Sequence, residues 1–447
     1  MAKLFGTDGV RGVANKELTP EVAYQLGRAG GYVLAKGNSP KILLAKDGRL
    51  SGDMLEAALA AGLCSIGAQV HCAGIMPTPA VAYIVREYGF DAGVMISASH
   101  NEMADNGIKF FNRQGLKLPD ELEAEIEKLI NENLDELPRP IGENVGKIAQ
   151  YPKAIKDYAE FLLSIVDLDL RGIKIAVDCA NGATYKIAPY LLTKLGAIVY
   201  PLHCLPNGIN INKDCGSTHM QSLQAHVKKH GADVGLAFDG DGDRMLAVCD
   251  KGNIIDGDML MAICGLDMYE NGELANNTIV ATVMSNQGFE CFCNENGITM
   301  HRTDVGDRYV LEKMLAEKHS LGGEQSGHII FLRHTTTGDG LLTALKLLSV
   351  MARKNKPLSE LASVMEIFPQ VLENATVPNA RKAEMATCKE IIDCQAQIEA
   401  EMNGEGRILV RPSGTEPVVR VMLEGRDKGQ IGEWARRLVG VIEGCLG

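Results

Sequence analysis

An apolar run of strand length occurs three times in this sequence and each time ends in a polar, glycine-containing loop. These runs cover residues 41–45, 173–177 and 278–284, and a helical pattern follows each loop. Each repeat later contains a second apolar run that leads through a polar loop into another strand: 92–96, 234–238 and a short run before Gly322. Strands that alternate with helices predict an α/β fold. We therefore expect three similar α/β domains with mixed sheets, whose loops meet at a central cleft.

The C-terminal part of the chain departs from this pattern. An amphipathic stretch over 382–402 predicts a helix, and two strands and a closing helix are predicted over 406–410, 418–423 and 428–442. We expect a smaller α+β domain there. For 447 residues the usual domain size of about 100–200 residues gives about three or four domains. The predicted boundaries are 1–150, 151–255, 256–368 and 369–447.

Composition and charge exclude several classes of protein. Hydrophobic residues make up 46% of the chain, enough for globular cores, and no apolar run approaches the length of a membrane span. The N-terminal residues lack the apolar region of a signal peptide, which predicts a cytoplasmic protein. The net charge of −12 argues against nucleic acid or an anionic membrane as partner. The twelve cysteines form no C-x-x-C pair, so we expect buried thiols.

A loop of alternating aspartates follows the apolar run 234–238. Asp239, Asp241 and Asp243 are separated by single glycines, which let the chain curl so that the carboxylates converge. Convergent carboxylates predict a site for a hard divalent cation. An EF-hand is excluded, because its sixth and twelfth positions would be Arg244 and Asp250 instead of glycine and glutamate. A solvated acidic turn is the alternative.

A serine loop follows the run 92–96. Ser99 is followed by His100 and, ten residues on, by Lys109. A serine hydroxyl is a weak nucleophile without a base or a metal, whereas a phosphoserine is a stored phosphoryl group. Aspartates and a phosphoserine oxygen together would surround a divalent ion and polarise the phosphorus for transfer. A Ser-His pair with a purely structural role is the alternative.

A third polar loop lies between the two C-terminal strands. Residues 411–417 contain two hydroxyl side chains and a glycine, with Arg411 at one end and Arg420 close by. Backbone N–H groups near a glycine, together with arginines, favour binding of a phosphate. A plain Pro-Gly hairpin remains an equal alternative.

Six segments appear together and in a characteristic order: 5–12, 97–101, 239–244, 305–310, 323–328 and 411–417. Taken together they resemble the α-D-phosphohexomutases along nearly the whole chain. Gln325 resembles the branch of that family that acts on glucosamine phosphates, since the phosphomannomutase and phosphoglucomutase relatives more often have methionine there. Residues 206–212 and 215–219 resemble the same branch.

The resemblance implies an enzyme that moves a phosphate between O6 and O1 of a hexose, here between glucosamine 6-phosphate and glucosamine 1-phosphate. It implies a phosphoserine, one Mg²⁺ per chain, and glucosamine 1,6-bisphosphate as intermediate and activator. The expected product would supply amino-sugar nucleotides and cell-wall precursors. The expected partner is a small hexosamine phosphate, with no nucleic acid and no membrane, and a homodimer is left open.

The resemblance also implies a role for each site residue. Ser99 would carry the phosphoryl group and, with the three aspartates, hold Mg²⁺. Lys109 and His100 would serve as general base and acid, and Arg244 would neutralise developing charge. The sugar hydroxyls would be bound by Glu324 and Ser326, and the phosphate that does not react by Arg411, Ser413, Gly414, Thr415 and Arg420.

Other functions stay open at this point. A phosphomannomutase or phosphoglucomutase is one alternative, and a metal-dependent sugar phosphatase, in which water takes the phosphoryl group, is another. A sugar-phosphate-binding protein with a decayed site is a third. Several residues depart from the family pattern. Among them, Glu102 replaces a usual proline, and Asp304 stands where a basic or small residue is common. Their effect on the rate is left open.

Overall fold

The structure of the protein is a computed structural model that describes residues 4–6, 8–34, 37, 39–404, 406–413 and 417–447. Its strands are β1 (Val10–Val13), β2 (Lys41–Lys46), β3 (Gln69–Ile75), β4 (Ala92–Ile96), β5 (Asp105–Asn112), β6 (Lys147–Gln150), β7 (Lys174–Asp178), β8 (Ile198–Leu202), β9 (Val234–Phe238), β10 (Met245–Cys249), β11 (Ile254–Ile255), β12 (Thr278–Thr282), β13 (Thr299–Thr303), β14 (Leu321–Gly323), β15 (Ile329–Phe331), β16 (Gln370–Thr376), β17 (Gly406–Pro412) and β18 (Val418–Gly425).

The α-helices are α1 (Pro20–Leu34), α2 (Ser51–Cys64), α3 (Thr78–Glu87), α4 (Asp120–Lys128), α5 (Ala154–Ser164), α6 (Ile187–Lys194), α7 (Gln221–His230), α8 (Gly257–Glu270), α9 (Gln287–Glu295), α10 (Asp307–Glu317), α11 (Gly340–Lys354), α12 (Leu358–Leu361), α13 (Lys389–Met402) and α14 (Lys428–Leu446). Short 3₁₀ or π segments cover Leu129–Asn133, Leu134–Glu136, Gly142–Asn144, Gly216–Thr218, Ala275–Asn277, Ala362–Val364 and Asn379–Ala386. Among the described residues, no helix is long and apolar enough to cross a membrane.

The chain forms two compact units. The first unit comprises Met1–Met284 and Ile298–Val364, and the second comprises Ser285–Gly297 and Met365–Gly447. Three mixed sheets belong to the first unit, and one antiparallel sheet belongs to the second. The predicted fold class, α/β repeats followed by a smaller α+β part, is confirmed. The four domain boundaries predicted from the sequence stay a prediction.

The three sheets of the first unit share a core of four strands in the same order, which in the third sheet reads from right to left as written below. Within the described residues the orders are β1-β5-β4-β2-β3-β6, β11-β10-β9-β7-β8 and β13-β12-β14-β15. In each sheet one strand (β2, β7 or β12) pairs in parallel with the next two strands of its repeat. The last of these (β4, β9 or β14) then pairs antiparallel with the strand that follows its polar loop. The sequence repeat is therefore a repeat of topology.

The strands that lead into the polar loops are buried along their length. Every residue of β4, β9 and β14 is buried. Strands covered on both faces have continuous apolar runs instead of alternating ones, which is why these segments are recognisable in the sequence. The polar loops at their carboxyl ends contain the serine, the aspartates and Glu324.

The second unit is built on an antiparallel sheet in the order β16-β18-β17. Its core includes Ile391 of α13, Val421 of β18 and Leu438 of α14, all fully buried. The helix predicted over 382–402 is interrupted: a 3₁₀ segment covers Asn379–Ala386, and α13 begins at Lys389. Threonine and cysteine, the residues at 387 and 388, are weak helix formers, which accounts for the break.

Candidate active site

The serine loop after β4 holds Ser99 in a strained conformation. The backbone of Ser99 is left-handed, with φ 51°, and the residue is 1% exposed. Its N–H donates to Ser97 Oγ at 2.9 Å, and its carbonyl accepts from Arg49 Nη2 at 3.2 Å and Asn212 Nδ2 at 2.8 Å. A left-handed residue other than glycine costs about 1–3 kcal/mol. Contacts from three segments of the chain therefore hold the backbone of Ser99 in this conformation.

The aspartate loop connects β9 and β10. Asp239, Asp241 and Asp243 are buried, and one oxygen of each lies within 4.8 Å of the others. Ser99 Oγ donates to Asp239 Oδ2 at 2.6 Å. The structure thus brings together the serine and the three aspartates that the sequence singled out.

The electrostatics of this loop fit a divalent cation. Burial and the charges of Asp243 and Asp241 raise the pKa of Asp239 well above its usual value. Within the described part of the chain, the Oδ1 atoms of Asp241 and Asp243 are buried and accept no hydrogen bond. Buried carboxylate oxygens that accept no hydrogen bond are free to bind a cation, and carboxylate oxygens are the ligands that Mg²⁺ prefers. The three aspartates therefore fit that ion.

Lys109 of β5 lies among carboxylates. Its Nζ is 3.0 Å from Asp241 Oδ2, 3.0 Å from Asp8 Oδ2 and 3.9 Å from Asp243 Oδ2. Burial disfavours the ammonium charge, but the three carboxylates outweigh it and raise the pKa of Lys109 above its usual value. Lys109 is therefore a stable positive charge beside the aspartates.

His100, in contrast to Lys109, has a pKa that is lowered by its surroundings. Its Nδ1 lies 3.3 Å from Ser99 Oγ. Burial, assisted by the charges of Arg244 and Arg11, lowers the pKa of His100 to about 4. The imidazole is therefore neutral at physiological pH. The roles of general base and general acid that the family resemblance implies for Lys109 and His100 stay a prediction.

A pocket of about 350 Å³ opens beside the aspartate loop in the first unit. This volume is within the range of about 300–1,000 Å³ that is common for small-molecule sites. Its lining contains both basic and acidic side chains. The basic residues are Arg11, Lys117, Arg244 and Arg308, and the acidic ones are Asp8, Asp120, Asp243, Asp307 and Glu324. Burial disfavours the charge on Arg244, but Asp243, Asp239 and Glu324 raise its pKa overall, so it stays charged.

Sequence reasoning assigned no role to a charged network along this pocket. Lys117 Nζ lies 2.5 Å from both Asp8 Oδ1 and Asp307 Oδ2, and His328 Nε2 lies 3.4 Å from Asp307 Oδ2. Asp8, Asp307 and His328 belong to segments that were noted for their family resemblance. Lys117 belongs to no motif, so no local signal could have identified it.

The loop between β14 and β15 contains the predicted sugar contacts. Glu324 lines the pocket, and its Oε1 accepts from the Gly306 N–H at 3.2 Å. Ser326 does not line it, and its Oγ is buried without a hydrogen bond from any described residue. Gln325 donates from Nε2 to Asp256 Oδ2 at 3.2 Å.

The predicted phosphate-binding residues lie in the second unit. Arg411 and Arg420 are direct cross-strand neighbours on β17 and β18. Ser413 is buried, and its carbonyl accepts from Lys382 Nζ at 2.6 Å. Gly414 and Thr415 lie outside the described residues, so this site stays a prediction.

Gly240 allows the aspartate loop to approach the serine loop. A Cβ at this position would lie 2.5 Å from the Ser99 carbonyl oxygen and 2.8 Å from Asn212 Nδ2. We expect Gly240→Ala to displace the serine and to lower kcat by about 100-fold, because a displacement of about 1 Å can cost that much. Gly440→Ala is the control, since a Cβ at Gly440 meets nothing within 4 Å. Steady-state kinetics of both variants measure the effect, and equal kcat values would contradict it.

Comparison with known families identifies the relationship. Models described as phosphoglucomutase/phosphomannomutase match in four parts: alpha/beta/alpha domain I over 2–136, domain II over 155–252, domain III over 256–368, and the C-terminal domain over 372–441. The chain belongs to the phosphoglucomutase/phosphomannomutase family. Its active-site candidates therefore lie in domains I, II and III of that family and in its C-terminal domain.

Full-length relatives within this family share more than half of their residues with the chain. A phosphoglucosamine mutase from Acetivibrio thermocellus is 56% identical, with 100% of both chains covered. A phosphoglucosamine mutase from Thermoanaerobacter sp. strain X514 is 57% identical, with 99% of each covered.

Solved structures of the family have the same architecture. A phosphoglucomutase/phosphomannomutase family protein from Burkholderia thailandensis has a TM-score of 0.82 and 26% identity, over 99% of this chain and 97% of that one. An N-acetylphosphoglucosamine mutase from Aspergillus fumigatus, solved with GlcNAc-6P and magnesium, has a TM-score of 0.69 and 17% identity, over 99% and 96%. At that identity the second likeness concerns the fold alone.

Proposed function

We propose that this protein is a phosphohexomutase that interconverts glucosamine 6-phosphate and glucosamine 1-phosphate. The observation that carries the proposal is the hydrogen bond of 2.6 Å from Ser99 Oγ to Asp239 within a cluster of three buried aspartates. A serine placed beside a cation site is suited to storing and transferring a phosphoryl group. The choice of glucosamine over other hexoses rests on the names of the relatives that match the chain from end to end.

The proposed cofactor is one Mg²⁺ per chain. Asp239, Asp241 and Asp243 would hold it together with an oxygen of phosphorylated Ser99, since one oxygen of each aspartate lies within 4.8 Å of the others and Ser99 Oγ lies 2.6 Å from Asp239 Oδ2. The ion would supply Lewis-acid polarisation of the phosphoryl group.

The reaction that we propose conserves both phosphates. The Oγ–P bond of phosphorylated Ser99 breaks as a hydroxyl of the bound hexose monophosphate forms an O–P bond, which gives glucosamine 1,6-bisphosphate. The hydroxyl proton passes to Ser99 Oγ. The bisphosphate then turns over in the site and returns its other phosphoryl group to the serine, so the net result is isomerisation.

Side chains around Ser99 suit these steps. His100 is neutral and lies 3.3 Å from the serine oxygen, where it can carry the proton between the two oxygens. Lys109 and Arg244 stay charged and stabilise the negative charge on the phosphoryl oxygens. Glu324, at the edge of the pocket, can accept hydrogen bonds from adjacent sugar hydroxyls.

A direct comparison of substrates tests the proposal. Glucosamine, glucose and mannose 6-phosphates are assayed side by side with Mg²⁺ and a 1,6-bisphosphate activator, and both the 1-phosphate product and inorganic phosphate are measured. We expect the highest kcat/KM with glucosamine 6-phosphate and no sustained release of inorganic phosphate. Faster turnover of glucose or mannose 6-phosphate would favour a phosphoglucomutase or phosphomannomutase, and steady phosphate release would favour a phosphatase.

Arg420 is proposed to bind the phosphate that does not react. We expect Arg420→Ala to raise KM with a smaller change in kcat, because this phosphate is bound similarly in the ground and transition states. A charge-assisted hydrogen bond is worth about 1.5–3 kcal/mol, which predicts a loss of about 10- to 150-fold in kcat/KM. A weaker contact should also make progress curves more dependent on added bisphosphate.

The control for Arg420 is another arginine of the second unit. Arg437 pairs with Glu401 at 3.0 Å on an exposed surface, so Arg437→Ala should leave KM unchanged. If Arg420→Ala also leaves KM and the bisphosphate dependence unchanged, the loop between β17 and β18 is a hairpin turn without a binding role.

A further inference from the structure

A second group of metal-ligand side chains lies in the first unit, outside the residues assigned to catalysis. Asp178 ends β7, His203 follows β8, and Cys215 precedes the 3₁₀ turn Gly216–Thr218. One ligand atom of each lies within 4.8 Å of the others. Carboxylate oxygen, imidazole nitrogen and thiolate sulfur are the three ligand types that Zn²⁺ combines in proteins. We propose that Asp178, His203 and Cys215 form a Zn²⁺ site.

The carboxylate of this zinc site is already oriented by the backbone. Asp178 is fully buried, and its Oδ1 accepts from the Ala180 N–H at 2.9 Å while Oδ2 accepts from the Gly216 N–H at 3.0 Å. Hydrogen bonds of this kind direct carboxylate ligands toward a metal. They also leave lone pairs on both oxygens, because a carboxylate accepts about four hydrogen bonds.

The imidazole lies against this carboxylate. His203 Nδ1 lies 2.9 Å from Asp178 Oδ2. The backbone of His203 is left-handed, with φ 47°, a conformation that non-glycine residues seldom adopt. The side chain is 29% exposed, which gives an ion access from solvent.

Sulfur ligands complete the set. Cys215 is fully buried, and a second thiol, Cys204, directly follows His203 and donates from Sγ to the Leu202 carbonyl at 3.0 Å. Zn²⁺ takes four ligands, so Cys204 after rotation of its side chain, or a water, fills the fourth position. The Cys215 thiol loses its proton to solvent as the S–Zn bond forms, because zinc binds the thiolate.

The consequence for the enzyme concerns the segment between His203 and Cys215. Asn212 lies in that segment, and its Nδ2 donates to the carbonyl oxygens of Ser99 and Asn101, both at 2.8 Å. A metal that joins the two ends of the segment to β7 would restrict its motion. Zn²⁺ would thereby stabilise the support of the serine loop without touching the substrate.

Metal binding to the full-length protein tests the proposal. Mg²⁺ is present in large excess throughout, and the Asp241→Asn variant reports whether the added ion binds at the aspartate loop instead. We expect one Zn²⁺ per chain after gel filtration, and with Co²⁺ as a probe a near-ultraviolet charge-transfer band from thiolate to cobalt. Zn²⁺ should also raise Tm, since an ion that binds the folded state stabilises it.

Variants locate the ion. Cys215→Ser should remove the cobalt band, and His203→Gln should weaken zinc binding by more than about 100-fold, because even outer partners of metal ligands are worth about 10- to 100-fold. Cys291→Ser, a half-buried cysteine in the second unit, should retain both signals. Asp241→Asn should also retain them, which separates this site from the aspartate loop.

Several results would overturn the zinc site. They are the absence of zinc binding in saturating Mg²⁺, a cobalt band that survives Cys215→Ser, or zinc binding that is lost in Asp241→Asn. An absence of binding would mean that His203 and Asp178 form a simple ion pair. Because buried Cys215→Ser could fail to fold, the partly exposed His203→Gln decides the question alone, with circular dichroism as the check on its fold. Failure here leaves the proposed mutase activity untouched, since that is measured with Mg²⁺.

Discussion

Replacing Ser99 by alanine is expected to lower mutase activity by at least about 10⁴-fold while the chain stays folded. The reason is that the phosphoryl group has no other acceptor in the proposed reaction, and loss of a covalent nucleophile is among the costliest changes in an enzyme. The substitution removes one hydroxyl together with its hydrogen bond to Asp239. Activity is measured with glucosamine 6-phosphate, Mg²⁺ and a bisphosphate activator. Intact-mass analysis should show a species heavier by one phosphoryl group in the wild type and not in Ser99→Ala.

Ser97 provides the matched control. It lies two residues away and is equally buried, and its Oγ donates to Asp47 Oδ2 at 2.5 Å. Ser97→Ala should keep the phosphorylated species and lose less activity, because it alters only the support of the serine loop. Phosphate on Ser97 together with an active Ser99→Ala would refute the assignment of Ser99.

Asp241→Asn is expected to lower activity by at least about 10³-fold and to weaken Mg²⁺ binding. Affinity for a hard cation depends on the number of charged ligands, and a metal supplies several kcal/mol of transition-state stabilisation. The substitution also removes the negative charge that lies 3.0 Å from Lys109 Nζ. The hydrogen bond that Thr78 Oγ1 donates to Asp241 Oδ2, at 2.6 Å in the wild type, can still form with the amide oxygen. Activity and calorimetric titration against Mg²⁺ measure both effects.

Asp250 is the control for this substitution. It lies just after β10, and its carboxylate accepts from Ser359 Oγ at 2.9 Å, away from the aspartate loop. Asp250→Asn should keep the activity and the Mg²⁺ dependence of the wild type. Activity near the wild-type level for Asp241→Asn in metal-buffered solution would show that the aspartates do not hold the catalytic metal.

Much of the fold was predictable from local patterns. Strands such as β4 and β9 are buried on both faces, so they appear in the sequence as short apolar runs. The glycine-rich segments after them mark turns through local backbone requirements: Gly242, with φ 71°, is an example in the aspartate loop. The meeting of Ser99 with Asp239 was likewise expected, because both follow strands of the repeat.

Other features depend on residues that are distant in the chain. Residues 285–297, which the repeat pattern assigns with the third domain, form one compact unit with 365–447. The network of Lys117 with Asp8 and Asp307 joins positions more than 100 residues apart. No periodicity or turn signal records such contacts, because they arise from the packing of whole sheets and helices.

The sequence by itself determined the α/β repeat, the family and the identity of the main site residues. The spacing of apolar residues, the positions of glycines and the order of the motifs are local properties of the chain. Tertiary structure alone decided the charge states. Lys109 and His100 are both polar residues near Ser99 in the chain, but burial beside three carboxylates keeps the first protonated, and burial near arginines keeps the second neutral. The difference has a physical reason: desolvation and Coulomb energy depend on distances in space, and the sequence does not contain those distances.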